Sequence, residues 1–161
     1  SKPGRMQIKL STGRQFRMGG NALLQLKNST VKLQRGALIG WIQPGLKNRQ
    51  PFTIQTRLAT ASIQGTTVFI ELDDDKLKVF SWEGEVKVAT TSGESYTLQS
   101  GEQLLVELNQ PTITWSSPVK IKEAEASRRL TKSRLINGFA TPIDTLQDIE
   151  RELGVKALDP S

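Results

Sequence analysis

The chain has 161 residues, a formal net charge of +6, and 36% hydrophobic and 24% charged residues. This length suits one domain, or one domain with an appendage, and it allows a hydrophobic core without covalent cross-links. The sequence contains no cysteine and no histidine, which excludes disulfides, thiolate nucleophiles and every serine–histidine or cysteine–histidine pair. No apolar run approaches the roughly 18 residues that span a bilayer as a helix. The composition therefore predicts a protein that is not an enzyme, with no cofactor, no metal and no small-molecule substrate.

Charge is unevenly distributed along the chain. Residues 1–70 hold eleven lysines and arginines and no acidic residue, whereas residues 71–112 hold nine acidic residues and three lysines. Such a division indicates either a surface for an acidic partner or a compact fold in which the two halves pair their charges. The candidate partner-binding residues in the first half are Arg14, Arg17, Lys32, Arg35, Lys47 and Arg49.

Short segments with alternating polar and apolar residues dominate the chain up to residue 115. Glycine, asparagine, aspartate and proline separate them every 8–12 residues, a pattern typical of an all-β domain. Because the turns are so short, we expect mainly antiparallel pairing in a multi-stranded sandwich or roll, with a short β-solenoid as the alternative. The predicted strands are 22–26, 31–33, 37–42, 51–56, 59–64, 67–72, 77–82, 85–90, 95–99, 103–108 and 112–115.

The pattern changes to helical spacing after residue 116, so we predict a β-domain at 1–116 and a helical C-terminal extension at 117–161. Residues 120–136 favour a helix by propensity, ending at Asn137 and Gly138. A second helix is predicted at 142–153, with an apolar face that must pack on the β-domain, on a partner or on a further domain.

The start and end of this second helix carry their own signals. Thr141 is a candidate N-cap, Pro142 occupies the first helical position, and Asp144 would complete a capping box. Gly154 is expected to end the helix.

Five segments of the β-region together resemble the FecR domain. They read as a Pro-Phe-x-Ile-x-Thr strand, a Gly-Thr step, a Glu-Gly-x-Val-x-Val hairpin arm and a Leu-x-x-Gly-Glu turn, preceded by a leucine strand with an Asn-Ser turn. In this sequence they are residues 51–56, 65–66, 83–88, 98–102 and 19–33. Gly65, Gly84 and Gly101 within them are expected to be structural, since glycine permits positive φ or close backbone packing at strand junctions.

The FecR resemblance implies a non-catalytic protein-binding module of the bacterial cell envelope, of signal-relay or scaffold type. FecR proteins sit in the inner membrane, and their periplasmic part receives a signal from an outer-membrane transporter and relays it to a cytoplasmic sigma factor. The implied partner is another envelope protein. The implied location is periplasmic or otherwise exported. The resemblance also allows anchorage in the membrane through a segment outside this chain.

An alternative function is binding of a polyanion, either nucleic acid, an anionic glycan or a lipid surface, through the basic residues of 1–70. A basic cluster at Arg128, Arg129, Lys132 and Arg134 is either a phosphate-facing stripe or a solvated helix face.

Two further groups of residues have alternative interpretations. Trp41, Trp82 and Trp115 suit either stacking on ligands or core packing. The acidic run 73–75 is interpreted as a solvated hairpin tip, and calcium binding is its alternative.

Overall fold

The computed structural model describes residues 6–10, 13–27, 30–45, 51–139 and 141–154. Within these ranges the chain forms twelve strands and three short helices. The strands are β1 Met6–Lys9, β2 Arg14–Met18, β3 Leu23–Lys27, β4 Thr30–Ile42, β5 Phe52–Gln55, β6 Ala59–Ile63, β7 Thr67–Leu72, β8 Lys76–Glu83, β9 Val86–Thr90, β10 Ser95–Leu98, β11 Glu102–Glu107 and β12 Val119–Lys120. The helices are α1 Glu123–Lys132, α2 Arg134–Asn137 and α3 Leu146–Leu153.

The twelve strands form one curled sheet with two layers, and the long strand β4 belongs to both layers. Its first half pairs with β3 and β5, and the first layer continues through β6, β9 and β10. Its second half pairs with β2 and β7, and the second layer contains β1, β2, β7, β8, β11 and β12. Among the described strands every pairing is antiparallel except that of β4 with β5. The all-β, mainly antiparallel prediction is confirmed, and the described strands do not form the alternative solenoid.

Gly36 is the point at which β4 passes from one layer to the other. Its φ is +98°, and a Cβ atom at this position would lie 2.4 Å from the Cα atom of Ala22. Glycine therefore permits both the bend and the close approach of β3. The predicted separate strands at 31–33 and 37–42 are one strand, because this glycine bends the strand without ending it.

The structure differs from the sequence prediction at both ends of the β-region. Strands β1 and β2 had no predicted counterpart, whereas the predicted strand at 112–115 has no β-structure. Trp115 instead lies half-buried and stacks on Tyr96, with ring centroids 6.3 Å apart. Antiparallel pairing on β11 resumes at β12, through Val119 and Lys120.

Both predicted helices are shorter than expected. The first is interrupted at Ser133, which has an extended backbone and accepts a hydrogen bond from the Ile136 amide, thereby capping α2. The second begins only at Leu146, and the predicted capping box with Thr141 is wrong, because the Asp144 carboxylate accepts hydrogen bonds from strands β2 and β4. Gly154 ends α3 with a φ of +67°, as predicted.

Two hydrophobic cores follow from this arrangement. The larger lies between the two layers, and it includes Phe16, Leu38, Phe52 and Val79. The smaller lies on the outer face of the second layer, where the helices cover Trp41 and Trp82. Docking of α3 on the chain's own β-domain is thereby confirmed, through Ile149. The domain boundary at residue 116 stays a prediction. None of the helices described above has the length and apolar character that a membrane-spanning helix needs.

Candidate functional site

The six basic residues predicted to bind a partner do not form one surface where the structure describes them. Arg14 and Arg17 are 7% and 1% exposed, so neither side chain is available on the surface. Lys32 is exposed on the outer face of the first layer, and Arg35 is exposed at the bend of β4. Lys47 and Arg49 lie outside the described residues.

Arg17 connects strand β2 to α2 and to the segment that links α2 to α3. Its guanidinium donates hydrogen bonds to the carbonyl oxygens of Leu135 at 2.8 Å, Ile136 at 3.1 Å and Thr141 at 2.7 Å. The charge lies 4.2 Å from the ring centroid of Phe139 and 5.5 Å from that of Trp41. Burial lowers the pKa of Arg17 to about 10, so the side chain stays cationic at neutral pH. Its role in this structure is to hold the helical segment on the sheet.

Residues of both charged halves of the chain line a shallow depression. Arg35 lines it together with Glu71, Asp73 and Asp74. Within the helical segment, ion pairs within 4.0 Å join Arg128 to Glu125, Arg129 to Glu125 and Arg151 to Asp148. The acidic run 73–75 forms the tip of the β7–β8 hairpin, where the Asp73 carboxylate accepts the amides of Asp75 and Lys76.

The three glycines that were predicted to be structural lie at junctions between strands. Gly84 has a φ of +83°, and a Cβ atom there would lie 2.8 Å from the carbonyl oxygen of Gly65 and 2.9 Å from Oγ1 of Thr66. Gly101 has a φ of +82° and lies against Leu153 of α3. Gly65 has a φ of +157°, close to extended backbone, so its importance lies in the contact with Gly84.

A groove opens where the helices leave the outer face of the second layer uncovered. Its volume is about 490 Å³, and α1 forms one wall. The apolar floor consists of Ala37, Phe69, Phe80, Trp82 and Leu135. The charged side chains along it are Lys78, Arg128, Arg129, Lys132, Arg134 and Glu125. We call this site the basic groove.

The cations of the basic groove differ in how firmly they are held. Arg129 donates to Glu125 at 3.0 Å and to Gln103 at 2.7 Å, and its charge lies 5.3 Å from the ring centroid of Phe80. Arg128 is more exposed and also pairs with Glu125, whose pKa is lowered mainly by the hydrogen bond from Arg129. Burial lowers the pKa of Lys78, and the nearby charge of Arg129 acts in the same direction. The site therefore places excess positive charge over an apolar floor.

The structure favours core packing for two of the three tryptophans. Trp41 and Trp82 are core residues, but the core is the one beneath the helices. Trp82 also lines the basic groove, and its buried indole Nε1 has no hydrogen-bond partner among the described residues. The sequence showed the basic cluster on α1. The sequence did not show that Phe69 and Lys78 lie opposite that cluster. Their position follows from the pairing of Phe69 with β4 and of Lys78 with β11, which are distant in sequence from α1.

Comparison with known proteins defines the family. Two crystal structures of a putative anti-sigma factor from Parabacteroides distasonis ATCC 8503 have a similar fold, with TM-scores of 0.60 and 0.58 at 17% sequence identity. The matches cover 94% and 93% of this chain and 72% and 70% of those chains. No curated protein matches the sequence. The sequence model of the family described as FecR protein matches residues 1–87, more than half of the chain, and this chain belongs to the FecR family.

Proposed function

We propose that this chain is a non-catalytic protein-binding module of the bacterial cell envelope that relays a signal or acts as a scaffold. Membership of the FecR family supports an envelope role. The structures with a similar fold are described as a putative anti-sigma factor, which supports a regulatory role over a catalytic one. The proposed location is periplasmic or otherwise exported, and the proposed partner is another envelope protein.

The basic groove is the single observation that carries this proposal. It combines an apolar floor with a charged rim, the combination by which proteins recognise partner segments. Its position beside α1 leaves it open to solvent, whereas the predicted contact residues Arg14 and Arg17 are buried. We therefore place the partner contact on the outer face of the second layer.

In-cell crosslinking tests the proposal. A photoreactive amino acid replaces Lys132 in the full-length protein in its own cells, and the adducts are identified by mass spectrometry. The matched control carries the same amino acid at Thr97, an exposed position on β10 in the first layer. We expect a discrete envelope-protein adduct from position 132 and none of that mass from position 97. Absence of a protein adduct at position 132 would contradict the proposal.

A further inference from the structure

The basic groove continues along the sheet as a surface on which charged and apolar residues are mixed. In the cross-strand row of Ala37, Glu71, Lys78 and Leu105, each residue pairs with the next on the neighbouring strand. Leu105, at the end of this row, is 40% exposed. Phe69 is half-buried in the adjacent row, so the uncovered part of the face offers contact area to an extended segment.

The charges of the groove favour an acidic occupant. Five cationic side chains line it with one carboxylate, Glu125, which already pairs with Arg128 and Arg129. Glu71 lies opposite Lys78 in the sheet and offsets part of this charge. Lys132 and Arg134 have no ion pair within 4.0 Å among the described residues. Like charges held close together repel each other, and carboxylates of a partner would relieve that repulsion.

We propose that the basic groove binds an acidic segment of a partner protein in which an apolar side chain lies between carboxylates. The apolar side chain contacts the half-buried Phe69, and the carboxylates pair with Arg128, Lys132 and Arg134. This inference rests on the proposed function and specifies the chemistry of its partner. A partner carboxylate beside Lys78 would raise the lowered pKa of this side chain, because it favours the charged form of the amine.

A peptide-binding measurement tests this chemistry. The probe is the fluorescently labelled peptide Glu-Asp-Leu-Phe-Asp-Glu, and its anisotropy is recorded as the protein is added. Two comparison peptides replace Leu-Phe by Ser-Ser, or every acidic residue by lysine. We expect binding of the first peptide only. We also expect its affinity to fall as salt rises, since the Debye length shrinks from about 10 Å at 0.1 M to about 3 Å at 1 M.

Charge-reversal variants show where the peptide binds. Lys132→Glu with Arg134→Glu should weaken binding about tenfold or more, because attraction becomes repulsion at two rim positions. The matched control is Lys27→Glu with Lys87→Glu, which makes the same charge change at exposed positions in the first layer. Its affinity should stay within about twofold of the parent protein. Phe69→Ala, which keeps all the charges, should also weaken binding, and circular dichroism confirms that each variant is folded.

Four outcomes would overturn the inference. The first three are equal binding of the Leu-Phe and Ser-Ser peptides, equal weakening by both charge-reversal pairs, and binding of vesicles that contain anionic phosphatidylglycerol as tightly as the Leu-Phe peptide. The fourth is no binding of any peptide. No binding of any peptide, together with a protein adduct at position 132, would overturn the acidic-segment inference and leave the proposed function standing. If neither peptide binding nor a protein adduct at position 132 is found, both the acidic-segment inference and the proposed function are overturned.

Discussion

Arg17 on strand β2 donates a hydrogen bond from its Nη2 atom to the carbonyl oxygen of Thr141 at 2.7 Å, a contact between residues 124 positions apart. The same guanidinium also bonds the carbonyl oxygens of Leu135 and Ile136. One buried cation therefore satisfies three backbone acceptors, two in α2 and one in the segment that links α2 to α3. This explains how helices as short as four and eight residues are held on the sheet.

Replacing Arg17 by methionine should lower the free energy of unfolding by about 3 kcal/mol, because three acceptors lose their donor while most of the packing volume is kept. In a chain of this length, that loss lowers the midpoint of thermal unfolding by roughly 6–12 °C. Lys32→Met is the matched control, since it removes an exposed cation and should change stability by less than about 0.5 kcal/mol. Equal effects of the two substitutions would show that Arg17 does not hold the helices in place.

The Arg17 contact also shows what the sequence could not reveal. Alternation predicted the strands at 67–72 and 77–82 to within one residue, because polar and apolar residues alternate up to the acidic turn between them. Strand β2 had no comparable signal, since Arg17 is buried there only because its hydrogen-bond acceptors come from the distant helical segment. The sequence likewise showed the cations of α1, but their position over Phe69 depends on long-range packing.

Gly84→Val should destabilise the fold by more than about 2 kcal/mol, because a Cβ atom there meets backbone and side-chain atoms at 2.8–3.1 Å and φ is positive. Gly93→Val is the matched control, since its φ is +102° but no atom lies within 4 Å of an added Cβ. Urea unfolding of both variants separates backbone strain from steric contact. The same loss in both would indicate that strain alone determines the cost.

A chain cut after residue 116 should not behave as a stable monomer. Without the helical segment, the outer face of the second layer exposes Ile39, Trp41, Phe80 and Trp82, all of which are now at most 3% exposed. A patch of large apolar side chains on this scale promotes self-association. Size-exclusion chromatography and binding of a hydrophobic dye provide the readout. A monomeric, cooperatively folded fragment would instead establish residues 1–116 as an independent domain.

Ser133→Ala should reduce stability by about 1 kcal/mol, because the hydroxyl that accepts the Ile136 amide at the start of α2 is lost. Ser95→Ala is a suitable comparison, since Ser95 is exposed on β10, outside the helical segment. Thermal unfolding should separate the two variants. If Ser133→Ala is as stable as the parent, the break between α1 and α2 does not depend on this cap.

Amide hydrogen exchange tests the central claim most directly, with the full-length protein measured alone and in complex with the protein recovered by crosslinking at position 132. We predict slower exchange on binding in α1, in α2 and in the part of β8 around Lys78, with no change on the outer face of the first layer at β9 and β10. Protection confined to the first layer, or no protection in α1 and β8, would contradict a partner-binding role for the basic groove.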